Sequence, residues 1–226
     1  RALSGEHVTN SPAAFGKRMI IYVMTSYGTT NYTNEGHISD MRKIIARFMG
    51  RDEPTGFGMT TRVIQAGMDQ TGEWLSIDGG AMRIRCYKKG TAHLEIHPDM
   101  AWRLNAILAT IYPTAIPAEF RTAPKKKPKD VELMQKPLPF KVVEALANAT
   151  EHSVLDETGY RKVRRATPNS LVLKTYEMDK FIVRQAGAVL ESIGGVKQKA
   201  GHYLFDYYPE RIVNEIIASG CVPDHK

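Results

Sequence analysis

The first part of the chain contains two stretches with the periodicity of a helix. Apolar residues recur at helical spacing over residues 15–27 and again over residues 39–49. The second stretch also has end signals, because Ser39 suits an N-cap and Gly50 can adopt the left-handed conformation that often follows a helix. The pattern therefore predicts two helices before any strand.

A period of two replaces the helical period from residue 73 onward. The segments EWLSI, AMRIRCY and AHLEI alternate apolar with polar residues, and KKGT supplies a glycine-containing turn between the last two. Pro98 then stands where the first turn of a helix tolerates proline, and apolar residues at helical spacing continue as far as Pro113. A hairpin or three-stranded meander followed by a helix is predicted, which makes this an α+β domain.

The rest of the chain predicts seven elements in the order α, β, β, α, β, β, α. Gly194 and Gly195 should end the middle helix. The order predicts a second, smaller α+β unit of a winged or sheet-faced binding type, and spacing leaves its strand order open. The elements are helices over residues 140–149, 180–193 and 209–219, strands over residues 161–165 and 171–174 around a TPNS turn, and a short hairpin within VKQKAGHYLF.

A proline-rich, basic segment separates the two parts. APKKKPKDVELMQKPLP holds four prolines in 17 residues and a run of lysines, a composition that stays extended and does not bury a core. The sequence therefore predicts an α+β domain over residues 1–122, a basic linker over residues 123–139 and a small α+β module over residues 140–226.

Composition narrows the class of protein. With 42% hydrophobic and 24% charged residues, the chain is neither a disordered tail nor a fibrous rod. No apolar run approaches the roughly 18 residues of a membrane span, so no membrane partner is expected. The only cysteines, Cys86 and Cys221, fit a reducing compartment, and a cytoplasmic location is predicted.

The charge balance favours a polyanionic partner. Lys and Arg total 31 against 24 Asp and Glu, a net charge of +7, and cationic side chains on strands and turns suit phosphate contacts to DNA. A solvated face is the alternative explanation. The candidate contacts are Lys125, Lys126, Lys127, Lys129, Arg161, Lys162, Arg164 and Arg165, followed by Arg83, Arg85, Lys88 and Lys89.

GTAHLEIHP carries the sharpest local pattern. On a strand, His93, Glu95 and His97 share one face, where they could bind zinc, manganese or iron or act as acid and base near a phosphodiester. A metal site would need at least one more ligand, and His7 or His37 could be that ligand, although no sequence spacing indicates it. Alternatively, the face is simply exposed to solvent, and Glu95 pairs across the strands with Arg83 or Arg85, in which case no metal is expected.

No complete catalytic motif is visible in the sequence. The chain lacks a glycine-rich nucleotide loop, a paired CxxC, a GxSxG and the Asn/Asp-Pro-Pro-aromatic tetrapeptide of amino-methyltransferases. Arg1 begins inside sequence with the character of an ordered domain, so we expect this to be part of a longer protein.

Two stretches resemble known protein regions. RALSGEHVTNSPAAFGKRMII, FMGRDEP, EWLSIDGG and YKKGTAHLEIHPDMAWRLNAILA, within residues 1–122, resemble uncharacterised domains of bacterial phage, prophage and genomic-island proteins, often fused upstream of class I S-adenosylmethionine-dependent methyltransferase domains. Residues 170–220 are similar to the segment preceding phage-type DNA methyltransferase domains, through Gly194, Gly195, His202 and Phe205. They depart from that segment at VKQKA, where the relatives have a tryptophan and an arginine.

The resemblance implies an accessory, DNA-engaging region of a mobile-element DNA-modifying protein. S-adenosylmethionine would then belong to a methyltransferase domain further along the same chain, and no cofactor to the region itself. Two other functions stay open: a metal-dependent hydrolase or nuclease built on His93, Glu95 and His97, and a protein-interaction module that docks onto a host defence component.

Overall fold

The computed structural model describes most of the chain. The described ranges are 14–16, 18–54, 58–125, 134–156, 163–176, 178–199 and 201–223, with backbone only for residues 152–156, 163–166 and 168. Within them, no helix combines the length and apolar character needed to cross a membrane.

Helices and antiparallel strands are mixed along the chain, which confirms the α+β prediction. The described elements are β1 (Arg18–Tyr22), α1 (Tyr32–Phe48), α2 (Met59–Asp69), β2 (Leu75–Ile77), β3 (Met82–Cys86), β4 (Thr91–Ile96), α3 (Pro98–Ile111), α4 (Phe140–Ala147), β5 (Thr150–Asp156), β6 (Val163–Val172), α5 (Lys180–Ser192), β7 (Val196–Lys199), β8 (His202–Leu204) and α6 (Glu210–Ser219).

The first sheet has the strand order β1-β4-β3-β2, with every neighbour antiparallel. Alternate residues of its strands are buried, so one face forms the inner wall of a core that α1 and α2 also line. The opposite side of the sheet, called the outer face below, carries the polar members of the alternation. This face holds most of the candidate site.

The helix predicted over residues 15–27 is wrong, because this segment contains β1. Met19 and Ile21 are buried whereas Arg18 and Tyr22 are exposed, which is a period of two. Over a few residues an apolar run satisfies both periodicities, and pairing with β4 decides between them.

Two helices also differ from the prediction. Helix α1 begins at Tyr32 because the side chain of Asn31, not Ser39, caps it by accepting from the Asn34 N–H at 3.2 Å. Its end is confirmed, with Gly50 at φ +62°. Helix α2 was not predicted, since it starts from Gly58 without a side-chain cap.

The meander and the helix after it are confirmed. Strands β2, β3 and β4 occupy the three alternating segments, and Gly90 has φ +81° in the turn between β3 and β4. Helix α3 begins at Pro98 and ends at Ile111, before Pro113.

In the second part, the order of helices and strands agrees with the prediction, but the first strand pair was misplaced. The strands predicted over residues 161–165 and 171–174 overlap one strand, β6, and its partner β5 was not predicted. The predicted TPNS turn is wrong for the same reason. Strand β6 continues through these residues, and its pairing with β5 steps from Thr167 to Leu171. The ladder is interrupted at that step, which is where the missing N–H of Pro168 is tolerated. The sheet order is β5-β6-β8-β7.

Two hydrophobic cores meet along α6. Ala218 of α6 belongs to the first core, and Met59 of α2 belongs to the second core, which α4, α5, α6 and the second sheet line. Main-chain bonds join the two parts: the Gln135 N–H donates to Gly79 O and the Leu138 N–H to Gly220 O. Gln135 and Leu138, which follow residues 126–133, are thus bound to the turn between β2 and β3 and to the end of α6.

Cys86 is buried in the first core, which predicts that its thiol reacts slowly in the folded protein. Burial raises the pKa of this thiol to about 12, so almost no thiolate forms at pH 8. We expect a thiol reagent at pH 8 to label Cys86 only after denaturant is added, because the thiolate is the reacting form. A Cys221→Ser variant isolates the signal, and rapid labelling of that folded variant would contradict the prediction.

Candidate functional site

Register places three charged residues in one row on the outer face. Arg18 of β1 and Arg83 of β3 each stand directly opposite Glu95 of β4, the strand between them. The predicted pairing of Glu95 with Arg83 is confirmed. Arg18 joins as a second partner because the segment that carries it is a strand.

Both oxygens of Glu95 are occupied by guanidinium groups. Arg18 reaches Oε1 with Nη2 at 2.6 Å, and Arg83 donates from Nε to Oε2 at 2.7 Å. Burial raises the pKa of Glu95, but donation by Arg18 and Arg83 outweighs it and holds the pKa below its usual value. Each arginine side chain stays 50% exposed, so its remaining donors can meet a ligand.

Aromatic rings lie beside these cations. The Trp74 ring centroid is 4.6 Å from the Arg83 Cζ and 5.6 Å from that of Arg18, within cation–π range. In the next row, Arg85 lies 5.7 Å from the Tyr87 ring centroid, and the Tyr87 hydroxyl is 3.1 Å from Nδ1 of His93. The outer face thus combines guanidinium groups with aromatic surface.

The proposed metal trio is only partly brought together. His93 and Glu95 share the outer face, but His97 caps α3, where its Nδ1 accepts from the Asp99 N–H at 3.2 Å. Among the described residues, no group of three His, Cys, Asp or Glu is placed to hold a metal. To bind a metal, Glu95 would first have to break its ion pairs. His37 is in α1, on the core side of the sheet, and His7 lies outside the described ranges.

Positive charge dominates this part of the sheet. Strands β1, β3 and β4 and the turn of residues 87–90 hold five lysines and arginines and one carboxylate, Glu95, so their net charge is +4. Lys88 and Lys89 are exposed at that turn, as predicted, whereas Arg85 is half-buried.

A groove of about 1090 Å³ opens beside the outer face. Trp74, Arg83 and Glu95 line it from the sheet, and Trp102 lines it from α3. Residues 119–120, 122–125 and 221–223 contribute further lining, so segments from both parts of the chain enclose it. Both tryptophans of the protein therefore line one concave surface.

Three of the other residues predicted to contact DNA lie within the described ranges. Lys125 is exposed and lines the groove. Arg164 and Arg165 belong to β6, where only the backbone is described. The remaining candidates, which are Lys126, Lys127, Lys129, Arg161 and Lys162, lie outside the described residues.

Four residues carry the resemblance of residues 170–220 to the segment that precedes phage-type DNA methyltransferase domains, and they follow the end of α5. They are Gly194, Gly195, His202 and Phe205. Gly194 ends the helix with φ +92°. A Cβ on Gly195 would lie 2.7 Å from Leu190 O and 2.8 Å from the Phe205 ring, so close packing accounts for this glycine. His202 begins β8.

Sequence reasoning missed Arg18, Trp74 and Trp102. Arg18 was assigned to a helix, which hid its place opposite Glu95. The tryptophans are far apart in sequence, and only the position of α3 relative to the sheet brings them to one groove. No local pattern in the sequence signals this arrangement, because it depends on tertiary packing.

Comparison with known protein families gives a match over the first part of the chain. A protein-family model described as "Domain of unknown function (DUF4942)" matches residues 1–114, a stretch that contains the first sheet and α3. No curated protein and no solved structure matches the chain.

Proposed function

We propose a function for a chain that belongs to the family described as Domain of unknown function (DUF4942). The outer face of its first sheet binds a nucleic acid. The observation that carries the proposal is the row in which Arg18 and Arg83 share the single carboxylate of Glu95. One negative charge cannot neutralise two guanidinium groups, so the row keeps a net positive charge on an accessible surface.

The geometry of this row suits phosphate. Glu95 fixes one edge of each guanidinium, which reduces the side-chain entropy that Arg18 and Arg83 lose when they bind a ligand. The outward donors of a planar guanidinium pair well with phosphate oxygens. Lys88 and Lys89 extend the positive charge to the end of the hairpin, where a flexible ammonium can follow a backbone.

The wider setting follows from the sequence resemblance. We propose that the region serves as an accessory part of a bacterial, mobile-element DNA-modifying protein in the cytoplasm. It would hold DNA for a methyltransferase domain in the same chain, and S-adenosylmethionine would bind to that domain. The resemblance supports the proposal, and so does the cationic face.

Salt dependence tests the binding proposal. The affinity of the protein for DNA should fall steeply between about 50 and 200 mM salt, because each neutralised phosphate releases counterions. Replacing Lys88 and Lys89 with alanine should reduce the slope of log K against log salt by about 2, roughly one per lost phosphate contact. Fluorescence anisotropy with a labelled oligonucleotide measures both quantities.

A matched double variant controls for net charge. Lys141→Ala with Lys180→Ala removes the same two charges from exposed positions in α4 and α5, away from the outer face. We expect this control to leave the slope within about 0.5 of the unmodified protein. The proposal would be contradicted if the two double variants had equal slopes of log K against log salt, or if the affinity for DNA did not depend on salt.

A further inference from the structure

We infer that the groove beside the outer face accepts an unpaired base, so that the preferred substrate is single-stranded nucleic acid. The inference rests on the proposed function and names its substrate class. It is carried by the contrast between the charge of the outer face and that of the groove.

The groove has little net charge. Its charged lining consists of Arg83 and Lys125 against Glu95, Glu119 and Glu215. Glu95 is paired with Arg18 and Arg83, and Glu215 with Arg211 at 3.2 Å. A phosphate would gain little from entering this space, whereas the adjoining strands and turn carry a net charge of +4.

The lining offers surfaces on which a base can stack. Trp74 and Trp102 are joined there by Phe120, and all three side chains are half-buried or exposed. Every base has a π face, so stacking on aromatic rings binds single strands with little regard to sequence. Arg83 links the two regions, because it lies on the cationic face, next to Trp74, and lines the groove.

The size of the groove agrees with this ligand. A volume of about 1090 Å³ lies just above the range of small-molecule pockets, which is about 300–1,000 Å³, and leaves room for a base with its sugar. In a duplex the base is already stacked and paired, and extruding it costs a few kcal/mol. Single strands expose their bases without that cost.

Tryptophan fluorescence tests the inference directly. Because both tryptophans line the groove, the emission of the whole protein reports its occupancy. A 12-nucleotide single strand should quench this emission at saturation, and the same sequence in a duplex should quench it much less. The single variants Trp74→Phe and Trp102→Phe keep an aromatic ring and show which tryptophan responds.

Affinity gives a second measurement. Trp102→Ala should weaken single-strand binding about tenfold and duplex binding less than twofold, because only the single strand stacks. Tyr176→Ala removes an aromatic side chain that is 78% exposed in the second part of the chain, and we expect no change from it. Trp102→Phe should bind single strands within about threefold of the unmodified protein, which checks that any loss reflects the ring.

The possible results separate the inference from the proposed function. Equal quenching and equal affinity for both forms of DNA would overturn the inference. If Lys88→Ala with Lys89→Ala still lowers the salt slope in that case, binding on the outer face stands. If the two forms of DNA behave alike and the double lysine variant also leaves the salt slope unchanged, both the inference and the proposed function are overturned.

Discussion

Replacing Asp78 with alanine is expected to lower the free energy of unfolding by about 3–5 kcal/mol. Asp78 accepts from Arg42 Nε at 2.8 Å and from Arg51 Nη1 at 3.1 Å, and all three side chains are almost completely buried. Without the carboxylate, two buried guanidinium groups would lose the acidic side chain that both of them contact. Unfolding in urea at pH 7 measures the change.

Two further variants define the cause of that loss. Asp78 has φ +50°, so Asp78→Asn keeps a residue type that tolerates this conformation while it removes the charge. It should also be destabilised, by less than the alanine variant. Asp40 pairs with Lys43 while 71% exposed, and Asp40→Ala should cost less than about 1 kcal/mol. Equal stability of the Asp78→Ala and Asp40→Ala proteins would refute the argument.

Replacing Phe140 with alanine should cost a similar amount, about 3–5 kcal/mol. The side chain is 2% exposed at the start of α4, and the Arg51 Cζ lies 3.5 Å from its ring centroid. The Phe140 N–H also donates to Asp52 Oδ2 at 2.9 Å. Packing of the ring, the cation–π contact and this hydrogen bond from the main chain therefore meet where α4 contacts the first part of the chain.

Thermal and urea unfolding of matched variants would check this expectation. Phe140→Leu keeps most of the apolar volume and removes the ring, so its smaller loss isolates the cation–π contact with Arg51. Phe181 is 65% exposed in α5, and Phe181→Ala should change stability by no more than about 0.5 kcal/mol. A Phe140→Ala protein as stable as the Phe181→Ala protein would contradict the assignment.

Local patterns predicted most of the elements of this fold. Strands β2 to β4, helix α3, and the three helices and the β7–β8 hairpin of the second part follow from periodicity and from glycine or proline at their ends. Strand β5 was not predicted, and the two strands predicted over residues 161–165 and 171–174 overlap the single strand β6. The failures lie where tertiary contacts decide. Residues 15–27 are apolar enough in sequence for either periodicity, and only pairing with β4 makes residues 18–22 a strand. The bulge in β6 equally depends on partners that are distant in sequence.

The candidate site was less predictable for the same reason. The alternation of β4 placed His93 and Glu95 on one face, but the partners of Glu95 depend on which strands flank it. Because β4 lies between β1 and β3, Glu95 pairs with two arginines and is not available as a metal ligand. The tryptophan-lined groove could not be predicted, because it forms between elements that are adjacent only in the folded chain.

The position of α6 bears on how this family could evolve. The family match ends at residue 114, yet Ala218 is buried with the side chains of that matched region. A polypeptide that stopped after α3 would leave this contact site open to water, as well as the buried faces that Leu138 and Phe140 cover. A gene fusion that transferred only the matched segment would have to provide a substitute helix. The segment that the family model matches is thus shorter than the set of residues that packs into the first core.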